Sequence, residues 1–182
     1  MDDRWRTIDS WMKAHGDSIL RTVYLVTRDR AASEEIVQEV FLRAWRKLHQ
    51  FEGRSSPSTW LHRIAVNLAR NHLRRRRVTL LDTAPDAADP GYADAFSPTH
   101  DGPETLASRN DRRGAVRACV ESLPQRLRMV VALYYLEERP VVEVARILGL
   151  PAGTVKSRLS KARSMLRDRL VAAGVEVEEN DG

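Results

Sequence analysis

A single cysteine, Cys119, stands in a chain of 182 residues, which excludes an internal disulfide and fits a reducing compartment. Set in Val116-Arg117-Ala118-Cys119-Val120, it reads as a small core residue. No run approaches the ~18 apolar residues of a membrane span. The opening Met-Asp-Asp-Arg-Trp has no apolar targeting region, so the chain is read as cytoplasmic, without insertion into a membrane. Phosphate-binding glycine loops of the P-loop or dinucleotide type are missing. The five histidines (15, 49, 62, 72 and 100) show no metal-ligand spacing with carboxylates or with Cys119. These absences argue against an enzyme and imply no catalytic residue, no metal and no cofactor. His62 and His72 fall in a basic stretch and read as solvated or DNA-facing.

What is abundant is charge, and it is uneven. Charged residues make up 30% of the chain, the formal net charge is +5 and the pI about 9.8, which points to an anionic partner. Between Gly53 and Leu81 stand seven arginines (54, 63, 70, 74, 75, 76 and 77) and no acid. From Asp82 to Asp111 there are seven acids and one arginine. Pro151 to Arg167 holds five Lys or Arg and again no acid. Two basic blocks flank an acidic one.

Helical periodicity dominates on both sides of that acidic block. Ile36, Val37, Val40, Phe41, Ala44, Trp45 and Leu48 trace one apolar helix face, with Ser33 or Asp29 as its cap. Ile19, Leu20, Val23 and Tyr24 mark an earlier helix; Trp60, Leu61, Ile64, Ala65, Leu68 and Ala69 mark a later one that runs into the arginines. Pro85, Pro90, Gly91, Pro98, Gly102 and Pro103 break the pattern over residues 79–111, which read as a flexible acidic linker. Helices resume near Asp111, and no strand alternation is visible. The fold expected is all-α: an N-terminal helical bundle (1–78), the linker (79–111), a C-terminal helix-turn-helix domain (112–172) and an acidic tail (173–182).

Residues 140–170 read as helix, tight turn, helix, with Leu148-Gly149-Leu150-Pro151 as the turn. Val155, Leu159, Ala162, Leu166 and Leu170 form the inner face of the second helix. Lys156, Ser157, Ser160, Lys161 and Ser164 fall outside it, small and basic as close approach to a major groove requires. A basic solvated helix in a plain bundle is the bland alternative. In the first basic block, Phe51, Arg54 and Trp60 surround a Gly/Ser-rich turn, a combination suited to unpaired bases, where stacking and backbone charge act together. Phe51 and Trp60 are alternatively core residues, and the arginine run a solvated helix end or a contact with an anionic membrane.

At these residues the sequence resembles the extracytoplasmic-function (group four) sigma factors of bacterial RNA polymerase. Glu34-Glu35-Ile36-Val37-Gln38-Glu39-Val40-Phe41-Leu42-Arg43-Ala44-Trp45 is similar to the family's segment that docks on the polymerase clamp. Phe51-x-Gly53-x-Ser55-Ser56-x-x-Thr59-Trp60-Leu61-x-Arg63-Ile64-Ala65-x-Asn67 resembles its −10 element reader. Gly149-x-Pro151-x-Gly153-Thr154-Val155-Lys156-Ser157-Arg158-Leu159-x-x-Ala162-Arg163 resembles its −35 reader. The likeness covers about residues 15–78 and 112–171. It departs at Pro57, where relatives commonly carry an aromatic, at His62, where they carry Tyr, and at Asn71, often Asp.

The resemblance implies roles. Glu35, Gln38, Glu39 and Arg43 would face core polymerase. Phe51, Arg54, Ser55, Ser56, Trp60, Arg63, Asn67, Arg70 and Asn71 would meet the −10 strand, with Arg74, Arg75, Arg76 and Arg77 on backbone phosphates. Thr154, Lys156, Ser157, Arg158, Ser160, Lys161 and Arg163 would meet the −35 duplex. The implied partners are core RNA polymerase (the clamp of its largest subunit and the flap of its second-largest), promoter DNA and an anti-sigma factor. The last would hold the otherwise cytoplasmic, nucleoid-associated protein at the membrane. The rival is a stand-alone helix-turn-helix transcriptional regulator that binds operator DNA without polymerase.

Overall fold

The computed structural model describes residues 3–82 and 109–173, with side chains for 3–76 and 114–173. The expected linker is largely, and the acidic tail almost entirely, outside the described residues, as is the side chain of Arg77. Among the described residues the chain is all-α. Its first half comprises α1 (Asp3–Thr27), α2 (Arg30–Lys47), a 3-10 turn (Leu48–Gln50) and α3 (Pro57–Asp82). Its second half comprises α4 (Arg109–Glu121), α5 (Gln125–Val131) continuing into a π-turn (Ala132–Leu136), α6 (Val141–Leu148) and α7 (Ala152–Ala172). Helix α3 thus runs four residues past position 78.

Local chemistry sets these boundaries. Arg28 takes a left-handed conformation (φ 59°), ends α1 by donating its N–H to the Tyr24 carbonyl, and reverses the chain. Asp29 then caps α2, its carboxylate accepting from the Ala32 N–H at 3.0 Å. Ser33, the other cap considered, lies inside α2 instead, bonded to the Asp29 carbonyl and 2.8 Å from the buried Thr27 hydroxyl. Replacing Asp29 with alanine should cost about 1 kcal/mol of stability, read as a lower urea midpoint at constant slope. Ser56 caps α3, its hydroxyl accepting from the Thr59 N–H, and Pro57 occupies the first helical position. Gly149 closes α6 at φ 65°, which a side chain would strain.

The core is formed mostly as periodicity required. Ile19, Val23 and Val26 of α1 meet Ile36, Val40, Phe41 and Ala44 of α2 and Leu61, Ala65 and Ala69 of α3. Trp45, assigned to the apolar face of α2, is instead 43% exposed. It stands at the edge of that stripe, beyond the reach of α1 and α3. In the second half, Val144, Ile147 and Leu148 pack on Val155 and Leu159, while Leu123, Leu127, Val131 and Ala162 form a smaller cluster around α5 and α7. Cys119 is buried. The main cluster is continuous between the halves: Met129, Val130 and Leu133 join the core of α1–α3, and α6 lies along α3.

Candidate nucleic-acid interface

Helix α7 is built by its buried side. Val155, Leu159 and Ala162 are buried at spacings of four and three, which fixes the roll of the helix. Lys156, Ser157, Ser160, Lys161, Arg163 and Ser164 are consequently exposed on the other side, with Thr154 and Arg158 half-buried at the margin. Ser157 donates to the Thr154 carbonyl at 3.0 Å, so the first turn carries little free bulk. No acid stands on α7 before Asp168. The face is convex, cationic and about the width of one helix, which fits a major groove.

On α3 the residues assigned to the −10 strand separate into two sides. Arg63, Asn67, Asn71 and Arg74 are exposed at helical spacing along one face, continuing to Arg75 and Arg76. Arg76 also lies 3.8 Å from Asp29. Arg70 points the other way: its guanidinium donates to the Leu148 carbonyl, at the end of α6, at 3.2 Å. At the head of α3, Trp11, Phe51 and Trp60 form a three-ring cluster with centroids 5.1, 5.3 and 6.0 Å apart. The rings are half-buried, so they serve as packing and still offer an aromatic edge beside the loop. That loop turns at Gly53 (φ 69°) and exposes Arg54, paired with Glu52 at 2.6 Å; Ser55 is half-buried and Ser56 exposed. Trp11 was missed by sequence reasoning; its signal was an aromatic three residues after the buried Ile8 on a helix whose first turns looked polar.

The α2 surface carries Glu35, Gln38 and Arg43 exposed, with Glu39 half-buried and paired to Arg43 at 2.6 Å. Leu42 (49% exposed) and Trp45 (43%) sit among them. Two large apolar side chains thus stand exposed within a charged face.

One expectation is overturned. His62 is neither solvated nor DNA-facing but fully buried, between α1 and the second half of the chain. Its Nδ1 donates to the Ser58 carbonyl at 2.8 Å and its Nε2 lies 3.2 Å from Ser18 Oγ. Burial, and then the neighbouring cations Arg139, His15 and Arg21, push its pKa down to about 4, against the one opposing hydrogen bond to Ser58. His72 is half-buried, not open to solvent. Among the described residues no group of three His, Cys, Asp or Glu is placed to hold a metal, and no helix is long and apolar enough to cross a membrane.

Comparison with known proteins bears on both surfaces. Residues 11–79 match the family model of sigma-70 region 2, and residues 113–166 that of sigma-70 region 4. The chain is 40% identical over 146 residues to the "Probable RNA polymerase sigma factor RfaY" of Xanthomonas campestris pv. campestris, covering 80% of this chain but only 36% of that protein. It is 36% identical over 138 residues to the ECF RNA polymerase sigma-E factor of Escherichia coli K12, covering 75% of this chain and 72% of that one. Among solved structures, the sigma factor RpoE of Bartonella quintana, in complex with the anti-sigma factor NepR, superposes with a TM-score of 0.70 at 20% identity. The alignment covers 91% of this chain and 98% of that one. At that identity the likeness is one of fold.

Proposed function

This chain belongs to the extracytoplasmic-function sigma factors, as an alternative sigma factor directing transcription initiation, and from that premise we propose how its two halves divide the work. It acts as a non-catalytic subunit, by binding alone. The first half docks on the clamp of the largest polymerase subunit through Glu35, Gln38, Glu39 and Arg43, with Leu42 and Trp45 supplying the apolar contact. The same half captures unpaired −10 bases at the loop 51–56 and the Trp60 cluster. Arg63, Asn67, Asn71 and Arg74 to Arg77 follow the strand. The cost of unpairing, a few kcal/mol per base, is offset by stacking and phosphate contacts.

The second half reads −35 duplex with Thr154, Lys156, Ser157, Arg158, Ser160, Lys161 and Arg163, and meets the flap of the second-largest subunit. The residue spans 1–78 and 112–172 act as the two working units. The acidic stretch 79–111 joins them and lies in the polymerase interior. Tethering both readers to one polymerase raises their effective concentration on one promoter. The protein works in the cytoplasm, at the nucleoid, and an anti-sigma partner of the kind seen with the Bartonella sigma factor holds it inactive.

The carrying observation is the pair of cationic faces, on α3 and α7, each with its opposite side committed to a core. A gel shift on promoter DNA with and without core polymerase tests the reading. Binding should require core. A chain that shifts duplex equally well alone is a stand-alone regulator instead. Gln38→Ala with Glu39→Ala should weaken binding to core roughly thirtyfold at unchanged helicity, since each loses a polar contact of about 1 kcal/mol. Undiminished co-elution would remove that face from the account.

A further inference from the structure

The three rings at the head of α3 come from three places in the chain. Phe51 opens the loop and Trp60 belongs to α3, but Trp11 is supplied by α1. Its ring stands at 78° to Phe51 with centroids 5.1 Å apart, and at 74° to Trp60 at 6.0 Å; Phe51 and Trp60 are tilted by 50° at 5.3 Å. These are direct contacts, since aromatic pairs touch edge to face at centroid separations of about 4.5–7 Å. A base inserted between two stacked rings would need them ~7 Å apart, twice the ~3.4 Å step of stacked bases. The cluster is therefore closed inside, and an unpaired base meets it from outside.

The loop has few other anchors. Among the described residues its polar contacts are local. The Phe51 N–H donates to the Leu48 carbonyl at 3.0 Å, Arg54 pairs with Glu52 at 2.6 Å, and the Ser56 hydroxyl meets the Thr59 hydroxyl at 2.9 Å. Gly53, at φ 69°, turns the chain and has no side chain to hold it. The Phe51 ring is the loop's aromatic tie to a distant element, and Trp11 is the residue it meets there. Helix α1 is built to deliver that ring. Ile8, one turn earlier, is buried in the main core with Ile19 and Val23, which sets the roll of the helix. Ile8 precedes the region 2 match, which opens at Trp11.

We propose that Trp11 is a positioning residue of the −10 reader. Packed edge to face, it sets the planes of Phe51 and Trp60, and through Phe51 the course of loop 51–56, so that the outer side of the cluster is ready for an unpaired base before DNA arrives. Preorganisation of this kind lowers the ordering cost of binding. Trp11 acts through its neighbours and need not touch DNA. The inference rests on the −10 reading of the loop above.

The test uses holoenzyme assembled from core polymerase and the full chain, with a promoter fragment that it transcribes, premelted by mismatches across the −10 element. Trp11→Ala should bind that fragment about tenfold more weakly, the scale of one weakened base–aromatic stack. Affinity for core, and for an upstream duplex that stops short of the −10 element, should stay within about twofold. A merely structural defect in the first half would lower core binding as well. Trp11→Phe, which restores a ring, should recover most of the loss. Trp11→Leu, apolar but ringless, serves if the alanine variant folds poorly, and should still lose about threefold. Trp5→Ala, which removes an exposed tryptophan of the same helix, should bind as wild type. Undiminished binding by Trp11→Ala, a Leu variant no worse than the Phe variant, or an equal loss with Trp5→Ala overturns the proposal. Phe51→Ala separates it from the reading beneath. If Phe51→Ala loses the premelted fragment and Trp11→Ala does not, the −10 reading stands and Trp11 only packs. If Phe51→Ala also binds as wild type, the loop is not the −10 reader and both fall.

Discussion

With Lys156 and Lys161 both replaced by alanine, polymerase carrying this chain should hold an upstream promoter duplex roughly sixty-fold more weakly at 0.1 M salt. The magnitude follows from counterion release. Each phosphate neutralised on B-DNA contributes about 0.9 to the slope of log K against log salt, so two contacts contribute about 1.8, and at 0.1 M that is nearly two decades. Both lysines are exposed on α7, the roll of the helix is fixed by buried Val155, Leu159 and Ala162, and no carboxylate precedes Asp168 on that helix. The slope should therefore fall by about one to two units in a titration from 50 to 300 mM salt. Lys13→Ala, which removes an exposed cation paired with Asp9 on α1, should leave it unchanged. A lower affinity with an unaltered slope would move the lysines from phosphates to base edges. No loss at all would remove α7 as the duplex reader.

What the sequence made legible is what periodicity and caps encode. The buried faces of α2, α3 and α7, the cap at Asp29 and the left-handed Gly149 all express spacing rules within one element, so a local reading finds them. The outer face of α7 follows from its inner face by exclusion. The contact between the halves did not show. Leu133 and Val144 have the same apolar character whether they pack within their own half or against the other, and residues 62 and 139 are too far apart in sequence for any local pattern to join them. His62 misled for this reason. In a run of arginines it looks like one more solvated cation, but its surroundings come from α1 and from the segment after the π-turn. Arg70 is the same case: a periodic member of the basic helix whose partner is a carbonyl 78 residues away. Trp45 was absorbed into helical patterning, and only its exposure separates it from the core.

The second large effect is acid lability of the folded chain. His62 has a pKa of about 4 where it is buried, against 6.5 for the ordinary imidazole. Burial is the largest cause, and the charges of Arg139, His15 and Arg21 add to it; the hydrogen bond to the Ser58 carbonyl favours the imidazolium but does not prevail. His15, facing the same site from α1, is shifted down by burial and by Arg139 as well. A histidine with a depressed pKa binds fewer protons in the folded chain than in the unfolded one. Its stabilisation is therefore complete above pH 6.5 and is lost as pH falls toward 4. Across that window, at 1.36 kcal/mol per pH unit, stability falls by about 3 kcal/mol, of which about 2 kcal/mol is gone by pH 5. Urea titrations at pH 7.5, 6 and 5 should show the midpoint falling, and an NMR titration of His62 should find its midpoint well below the ordinary imidazole value of 6.5. His62→Gln cannot take up the proton, so its profile should be clearly shallower over the same range, with His15 supplying what slope remains. If that variant and the wild type lose stability in parallel, the acid sensitivity lies elsewhere in the chain and His62 is a passive member of the interface.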